Sequence, residues 1–576
     1  MDLLLVSPPV ANFGQATSGL SVLTAYLRSS GWDAHQWDLA IDAFHHFHSP
    51  EYLRGRADIV LNQSRDKVLR DVAARVVDEI DGAKDALRTP GVERDRQRMR
   101  WAFETINHAG IIMTAASQGR YEHDYRHFGV NSAFRSFTNL EETLSDPAQN
   151  PYLEYIEESV VPRLRREKPR AIGVSLTYFS QVIPGFTLVR KIRETFPDIP
   201  IVVGGAYLTA VEHDVGRIPA SLLPVEAIIV HDGEEALDKW LKNVLDHTGS
   251  PESVPNAYLP RETFVRSGAG AGIHTDLDNL PGPMWTSDGL HLDRYLVPRY
   301  PIPLPLARGC YWGRCAYCNI SCQTSATYRT RPADQAIEDM RTAIQETGSN
   351  WFDLPVDSYR PRDLHALGNA IIDAGLEVEW GAEVLLDPAF TDEVVADLAR
   401  SGCRTLRFGL ESASIETLKA MHKPSRPDSA LRILKACKRN GIQTAAMLIA
   451  GFPTEGQKEL NLTYDYLVEN RDCIDFLTIH QYSLVPGSPM ANDPARFGLV
   501  VHKPEAVLWT SLPFANTNRV GMRNEDLPRV IESMKEGLSE YYTDLGELWT
   551  VAIGGWMTFP ACCGSRDELI HPIAGG

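Results

Sequence analysis

Apolar positions along this chain recur with two different periods, and the switches between them outline its organisation. Leu3-Leu4-Leu5-Val6 is a compact buried-strand pattern closed by the turn Ser7-Pro8-Pro9-Val10. Between Gly19 and Ser30 the residues Leu20, Leu23, Tyr26 and Leu27 return at helical spacing, and Gly31 stands where such a helix ends. Trp32 to Asp38 reads as a second strand. This is one βαβ opening of a doubly wound sheet, whose ligands sit past the carboxyl ends of the strands. The pattern then becomes polar and helical over residues 45 to 155. From Asp66 to Ala86, Val68, Val72, Val76 and Ile80 recur every fourth residue and predict one apolar face. Strands resume at Ala171 to Ser175, Ile199 to Val203 with Gly204-Gly205-Ala206 behind it, and Ala227 to Val230 leading into Asp232-Gly233-Glu234.

Residues 251 to 300 are rich in proline and glycine and read as a linker. A second run of alternation follows. The strands are predicted at Ile302 to Ala307, Trp351 to Val356, Glu377 to Glu383, Thr405 to Phe408, Gln443 to Ile449 and Asp475 to Tyr482, with helical patterns between them. Pro303 and Pro305 sit inside the first of these, where proline cannot donate to a ladder. Six βα units are too few to close an eightfold barrel. Residues 498 to 576 form a tail with a helical stretch from Leu527 to Leu538 and a glycine-rich end carrying Trp556, Phe559 and the vicinal pair Cys562-Cys563.

Three of the nine cysteines lie close together, in Arg308-Gly309-Cys310-Tyr311-Trp312-Gly313-Arg314-Cys315-Ala316-Tyr317-Cys318. Three thiolates can hold three irons of a 4Fe-4S cluster and leave the fourth open to a chelating small molecule. Cys322 follows within reach, so a Cys315, Cys318, Cys322 set is an alternative. A structural zinc ion needs a fourth ligand, usually from a second pair at short spacing, and none is present at suitable distance in the sequence. A disulfide framework does not suit a long chain with few cysteines.

Composition narrows the class. With 576 residues the chain has room for two to four domains, and 43% hydrophobic and 23% charged residues are ordinary for a globular protein. The net charge of -18 opposes nucleic-acid binding over most of the surface; the short basic run Arg163 to Lys168 reads as a solvated helix end. Leu3 to Val6 is too short for a signal peptide or membrane span, so a cytoplasmic enzyme is expected.

The Leu304 to Arg331 stretch closely resembles the radical S-adenosylmethionine (SAM) superfamily, through the arginine and glycine before Cys310 and the aromatic Tyr317 before the last cysteine. The usual spacing is CxxxCxxC; here four residues separate Cys310 from Cys315, a variant of the loop. The resemblance implies a partial (β/α)6 barrel over 301 to 497, with Cys310, Cys315 and Cys318 on the cluster and SAM on the open iron. Matched residue by residue, Asp357 takes the position that holds the SAM amino group, Glu411 in Gly409-Leu410-Glu411-Ser412 a polar position near the ribose, and Glu383 a second ribose position. Ala450-Gly451 would lie against adenine, and Leu385 replaces an arginine that binds the carboxylate in many relatives.

Residues 1 to 45 and 165 to 245 are similar to the cobalamin-binding domain that precedes many radical SAM domains. The similarity rests on Pro8-Pro9-Val10, Ser175-Leu176-Thr177, Gly204-Gly205-Ala206 and Glu234. It implies a Rossmann-like domain over 1 to 250 with a helical insert at about 45 to 155, and a mostly helical cap over 498 to 576. The loop from Pro8 to Gly14 lacks the histidine of a DxHxxG motif, which implies cobalt with no histidine beneath it. His45, His46 and His48 are candidate ligands whose ordinary place would be an exposed edge of the insert.

Taken together, the resemblances imply a cobalamin-dependent C-methyltransferase acting on an unactivated carbon through a 5'-deoxyadenosyl radical and methylcobalamin. A flavodoxin or ferredoxin would donate electrons, and the substrate would be a small molecule or peptide recruited by the insert. A rearrangement or ring contraction without methyl transfer is the alternative within the same chemistry. A binding protein that has kept the fold and lost the cluster is the alternative outside it.

Overall fold

The computed structural model describes residues 1–542 apart from 93–94, 126, 269–273, 286–288, 321–326 and 503–505. Cys322, Trp556, Phe559, Cys562 and Cys563 therefore lie outside the described residues. The chain divides into two compact units, Met1–Tyr300 with Glu505–Trp509, and Pro301–Pro504 with Thr510–Gly576.

The first unit is built on a seven-stranded sheet. From one edge its strands are Ala34–Asp38, Leu3–Ser7, Ala171–Ser175, Ile201–Gly204, Ala227–Ile229, Ala257–Pro260 and Phe264–Arg266. The first five are parallel and the last two run antiparallel. Chain order reverses beside Leu3–Ser7, which opens a crevice at the carboxyl ends there. Both faces of the parallel strands are covered: Leu3, Leu5, Val202 and Ile229 pack with Leu27, Trp240 and Leu241 of the flanking helices on one face, and Leu4 and Val6 are buried on the other. Residues 251 to 300 are not a free linker. The turn at Pro251–Ser253 leads into the two antiparallel strands, because Ala257 and Leu259 supply a buried face against Ala227–Ile229 and extend the sheet.

The insert is helical as expected, with Pro50–Gln63, Lys67–Arg88 and Arg96–Ala116 packed on one another. Asp66 caps the second of these by accepting from Val68 N and Leu69 N. Val72, Val76 and Ile80 are buried, but Val68, in the first turn beyond the reach of the neighbouring helices, is 72% exposed. The three histidines also depart from expectation. They belong to Leu39–Phe47 and its cap, and instead of lining an exposed edge, His48 is buried, stacked on Phe44 with Nδ1 on the Phe44 carbonyl. Phe13 packs against Phe44 and Tyr125, with ring centroids 5.2 and 5.3 Å apart, so aromatic contact with the insert pins the loop after the first strand.

The second unit carries six parallel strands in sequence order, Ile302–Pro303, Trp351–Tyr359, Glu379–Val384, Cys403–Glu411, Gln443–Ala450 and Phe476–Gln481. This is the expected partial (β/α)6 barrel. The first strand is shorter than its apolar run suggests. Pairing with Trp351–Tyr359 stops at Pro303, the prolines break the ladder, and Ala307–Arg308 pairs instead with Arg329–Thr330. The second strand is longer than predicted, with an irregularity between Leu354 and Tyr359, so Asp357 lies within it and not after it. Described residues beyond 498 carry the expected helix, Leu527–Leu538, together with a short antiparallel pair, Leu499–Val501 with Phe514–Asn516. No described helix is long and apolar enough to cross a membrane.

Candidate active site

The cysteine loop leaves the first barrel strand and is held at three points by its own unit. Cys310 forms an isolated parallel bridge with Ser358, next to Asp357. Ala316 N donates to the Met421 carbonyl at 2.9 Å and Trp312 Nε1 to the His422 carbonyl at 2.9 Å. The turn Cys315 to Cys318 closes with a 3.2 Å backbone bond. All three thiols are partly buried and unpaired by disulfide. Burial pushes the Cys318 thiol up to about 12, with Cys315, Cys310 and Asp357 adding to the rise. Burial likewise raises Cys315, while the positive charge of Lys423 pulls it down. The three sulfurs are thus mutual electrostatic neighbours. Among the described residues no three cysteine, histidine or acidic side chains, these cysteines included, are gathered closely enough to hold a single metal ion. Three thiols on one short loop are a donor set that suits a cluster with one corner left open.

Lys423 is the residue that sequence reading missed. It follows the short helix Ile415–Ala420 that succeeds Cys403–Glu411 and is buried, its ammonium bonded to Glu411 Oε1 and, at 3.2 Å, to the Tyr317 hydroxyl. Tyr317 in turn donates to Glu411 Oε1 at 3.0 Å. Burial works against the ammonium, but Glu411 and then the Cys315 and Cys310 thiols outweigh it and raise the lysine pKa. Gly409 makes room for the pair: a Cβ there would stand 2.7 Å from the Lys423 nitrogen. The glycine was the available signal, since its neighbours on the strand are bulky. Glu411 holds a left-handed φ of 61°, a strained conformation fixed by these partners.

The other expected barrel residues have different surroundings. Glu383 is 3.3 Å from Arg407 Nε, and Arg407 Nη1 donates to Asp353 at 3.1 Å, giving an ion network inside the barrel. Burial raises Glu383 to about 7 against the pull of Arg407. Glu383 thus also serves as a carboxylate partner that the buried Arg407 guanidinium requires. Gly451 has φ 82°, and a Cβ there would meet the Leu527 side chain of the C-terminal helix. Ala450 is buried beside it. Glu455 ties two strand ends together, accepting from Gly451 N at 2.8 Å and from Ser412 Oγ at 3.2 Å.

In the first unit, the turns at Pro8-Pro9-Val10, Ser175-Leu176-Thr177 and Gly204-Gly205-Ala206 are brought together at the carboxyl ends of three adjacent strands. Gln181 locks two of them, donating to the Pro8 carbonyl at 2.7 Å and accepting from Thr177 N at 2.7 Å. Tyr207 N donates to the Leu176 carbonyl at 3.0 Å, and Gly205, at φ 106°, allows Leu176 backbone to pass against it. Thr177, Gly204, Gly205 and Ala206 keep exposed surface and fit a cradle formed chiefly by backbone. Leu176 and Glu234 are buried and contribute no open side chain. Glu234 accepts from Thr275 Oγ1 at 3.1 Å, which explains its burial.

A parallel barrel sheet with three cysteines at the mouth of its first strand defines the class. Residues 304–467 match the family described as the radical SAM superfamily, and the chain carries a radical SAM domain. It is 23% identical over 307 residues to an uncharacterized methyltransferase of Pyrococcus horikoshii, an alignment covering 53% of this chain and 65% of that protein. It is 28% identical over 193 residues to bacteriochlorophyllide d C-12(1)-methyltransferase of Chlorobaculum tepidum, covering 33% of this chain and 41% of the relative. The chain thus spans less than two thirds of either relative. Its fold is similar to that of TsrM from Kitasatospora setae, a radical S-adenosylmethionine methyltransferase, at 14% identity. One structure of TsrM, with cobalamin and a 4Fe-4S cluster bound, gives a TM-score of 0.53 over 88% of this chain and 82% of that one. Another, with tryptophan substrate and a SAM analog, gives 0.55 over 88% and 79%.

Proposed function

We propose that this chain is a cobalamin-dependent radical SAM methyltransferase that methylates an unactivated carbon. The observation that carries the reading is the Cys310, Cys315, Cys318 loop set beside a buried lysine within a radical SAM domain. When bound, the cluster supplies the electron that cleaves SAM to methionine and a 5'-deoxyadenosyl radical, and cobalamin supplies the methyl group. The chain's own residues bind and orient. Cys310, Cys315 and Cys318 hold the cluster. Asp357, beside Cys318, faces the SAM amino group, and Lys423 provides the cation for its carboxylate where Leu385 cannot. Glu411 keeps that cation in place and Tyr317 shields the pair from water. The cradle at Pro8, Thr177 and Gly204 to Ala206 receives cobalamin, with a low-potential flavodoxin or ferredoxin as electron donor.

The test is product stoichiometry. Anaerobically reconstituted protein, given cobalamin, reductant and a substrate that turns over, should release S-adenosylhomocysteine and 5'-deoxyadenosine in about equal amounts, because each methylation consumes one SAM as methyl donor and one as radical source. Deoxyadenosine without S-adenosylhomocysteine would sink methyl transfer and select a rearrangement. Protein that takes up neither iron nor SAM would select a binding role.

A further inference from the structure

A pocket of about 470 Å³ in the first unit lies outside the cradle described above. It opens at the end of the edge strand Ala34–Asp38, walled by the helix Leu39–Phe47, the Tyr152 to Glu167 helical run and Arg294. Its wall is cationic in a chain of net charge -18, carrying Arg163, Arg166 and Arg294 against the single carboxylate Asp42. That carboxylate already has partners, accepting from Trp37 Nε1 at 2.7 Å, pairing with Arg294 and lying 4.0 Å from Arg163. The Arg163 guanidinium lies over the Trp37 ring at 4.0 Å and is oriented from behind by Glu167, which takes its Nε at 2.7 Å. Arg166 is 72% exposed and 3.8 Å from the same carboxylate. Even with Glu167 counted, three guanidinia face two acids.

The helix that carries two of these arginines is irregular. Its segment Ile156–Val160 is π-helical, and Ser159 of that segment lines the pocket. Single π-turns interrupt the regular helical ladder and are frequent at functional sites. A neighbouring cavity shares His45 and Arg294 but sets Lys84 and Arg88 against Asp81, Asp85 and Asp293, so its charges balance. Burial lowers His45 to about 4, which leaves it neutral at the boundary between the two.

We propose that the pocket bounded by Trp37, Ser159, Arg163, Arg166 and Arg294 binds a small oxyanion, a phosphate ester or a carboxylate, through the guanidinium forks. Planar guanidinium presents paired donors that match either group. This reading is independent of the radical chemistry, and its test needs no turnover. Full-length protein is titrated calorimetrically, at constant ionic strength, with inorganic phosphate, phenyl phosphate and benzoate. Saturable binding of at least one probe is expected, weakened about tenfold in Arg163→Gln and in Arg166→Gln, consistent with loss of one charge-assisted contact. Arg165→Gln removes the same charge from the same helix outside the pocket and should leave binding unchanged. Tighter binding of the phosphates identifies a phosphoryl ligand; tighter binding of benzoate identifies a carboxylate. No saturable binding by any probe overturns the proposal, as does equal weakening by Arg165→Gln. Arg166→Gln keeps the test decisive if Arg163→Gln disturbs Trp37, since the exposed Arg166 has little to do with folding.

Discussion

The two parallel sheets of this protein follow the same βα rule but finish their carboxyl ends differently. In the first unit the strand ends are closed by apolar packing and by polar side chains held on neutral partners. Phe13 packs on aromatic residues, Gln181 ties two turns, and Glu234 is buried on Thr275. In the second unit buried charge pairs take over, Arg407 with Asp353 and Glu383 along the strands and Lys423 with Glu411 and Tyr317 at a strand end beside the cysteines. The first arrangement supplies shape, suited to a large ligand held by backbone. The second supplies fixed charge in a place that excludes water, where a Coulombic interaction is strong and a lost partner is costly.

This contrast can be broken most directly at the cysteines. Cys318→Ala should abolish uptake of the four irons and deoxyadenosine formation, whereas Cys403→Ala, which removes a buried thiol from the same unit, should retain both. Iron and sulfide analysis after anaerobic reconstitution checks it. Equal iron in the two variants would return attention to Cys322.

Next in size are two substitutions of similar expected cost and different character. Lys423→Met leaves Glu411 buried without its cation and should cost about 3–5 kcal/mol. Phe13→Ala removes a buried ring and should cost about 3–5 kcal/mol. The difference appears in rescue. Adding Glu411→Gln to Lys423→Met should recover much of the loss, because the uncompensated charge disappears; Phe13→Ala has no such partner. Denaturant unfolding of the single and double variants measures the coupling, and additive losses at Lys423 and Glu411 would remove the electrostatic half of the comparison.

Gly451→Ala tests whether the barrel end is closed by its own chain. The φ of 82° and the Leu527 side chain both oppose a Cβ, and a loss of about 1–3 kcal/mol is expected. Leu527→Ala in the same chain should relieve the steric part but not the backbone part. A thermal midpoint unchanged by Gly451→Ala would show that this space is open.

The smallest effect is a slope. Burial raises Glu455 from 4.5 to about 7, although Gly451 N–H and the Ser412 hydroxyl favour its carboxylate form. The folded chain therefore binds this proton more tightly than the unfolded chain does. The stabilisation is fully present below about pH 4.5 and is lost as pH rises through 7. Between those values wild-type stability should fall relative to Glu455→Gln by at most about 1.4 kcal/mol per pH unit. Thermal unfolding of both proteins from pH 5 to pH 8 checks it, and parallel curves would mean that Glu455 is ionised throughout.

Much of the fold was legible because it depends on local pattern. The β-period runs at Leu3, Ala171, Ile201 and Gln443, the helical spacing from Leu20 to Leu27, and the sixfold alternation after 300 all correspond to observed elements. Legibility failed where composition and pairing disagree. Proline and glycine made 251 to 300 resemble a linker, yet Ala257 and Leu259 had a sheet edge to cover. Val68 satisfied the helical period but stands exposed in the first turn of its helix.

The sequence by itself determined the number and order of the βα units, the cysteine triplet with its aromatic Tyr317, and the absence of a histidine from the Pro8 to Gly14 loop. These are properties of neighbours along the chain. Tertiary structure alone decided which charges meet. Lys423 reaches Glu411 and Tyr317 only because the segment after Cys403–Glu411 folds back over the cysteines, Glu383 is claimed by Arg407 from the next strand, and Leu527 occupies the space beside Gly451. A buried charge takes whichever opposite charge the fold brings within hydrogen-bond distance, and sequence separation carries no information about that distance.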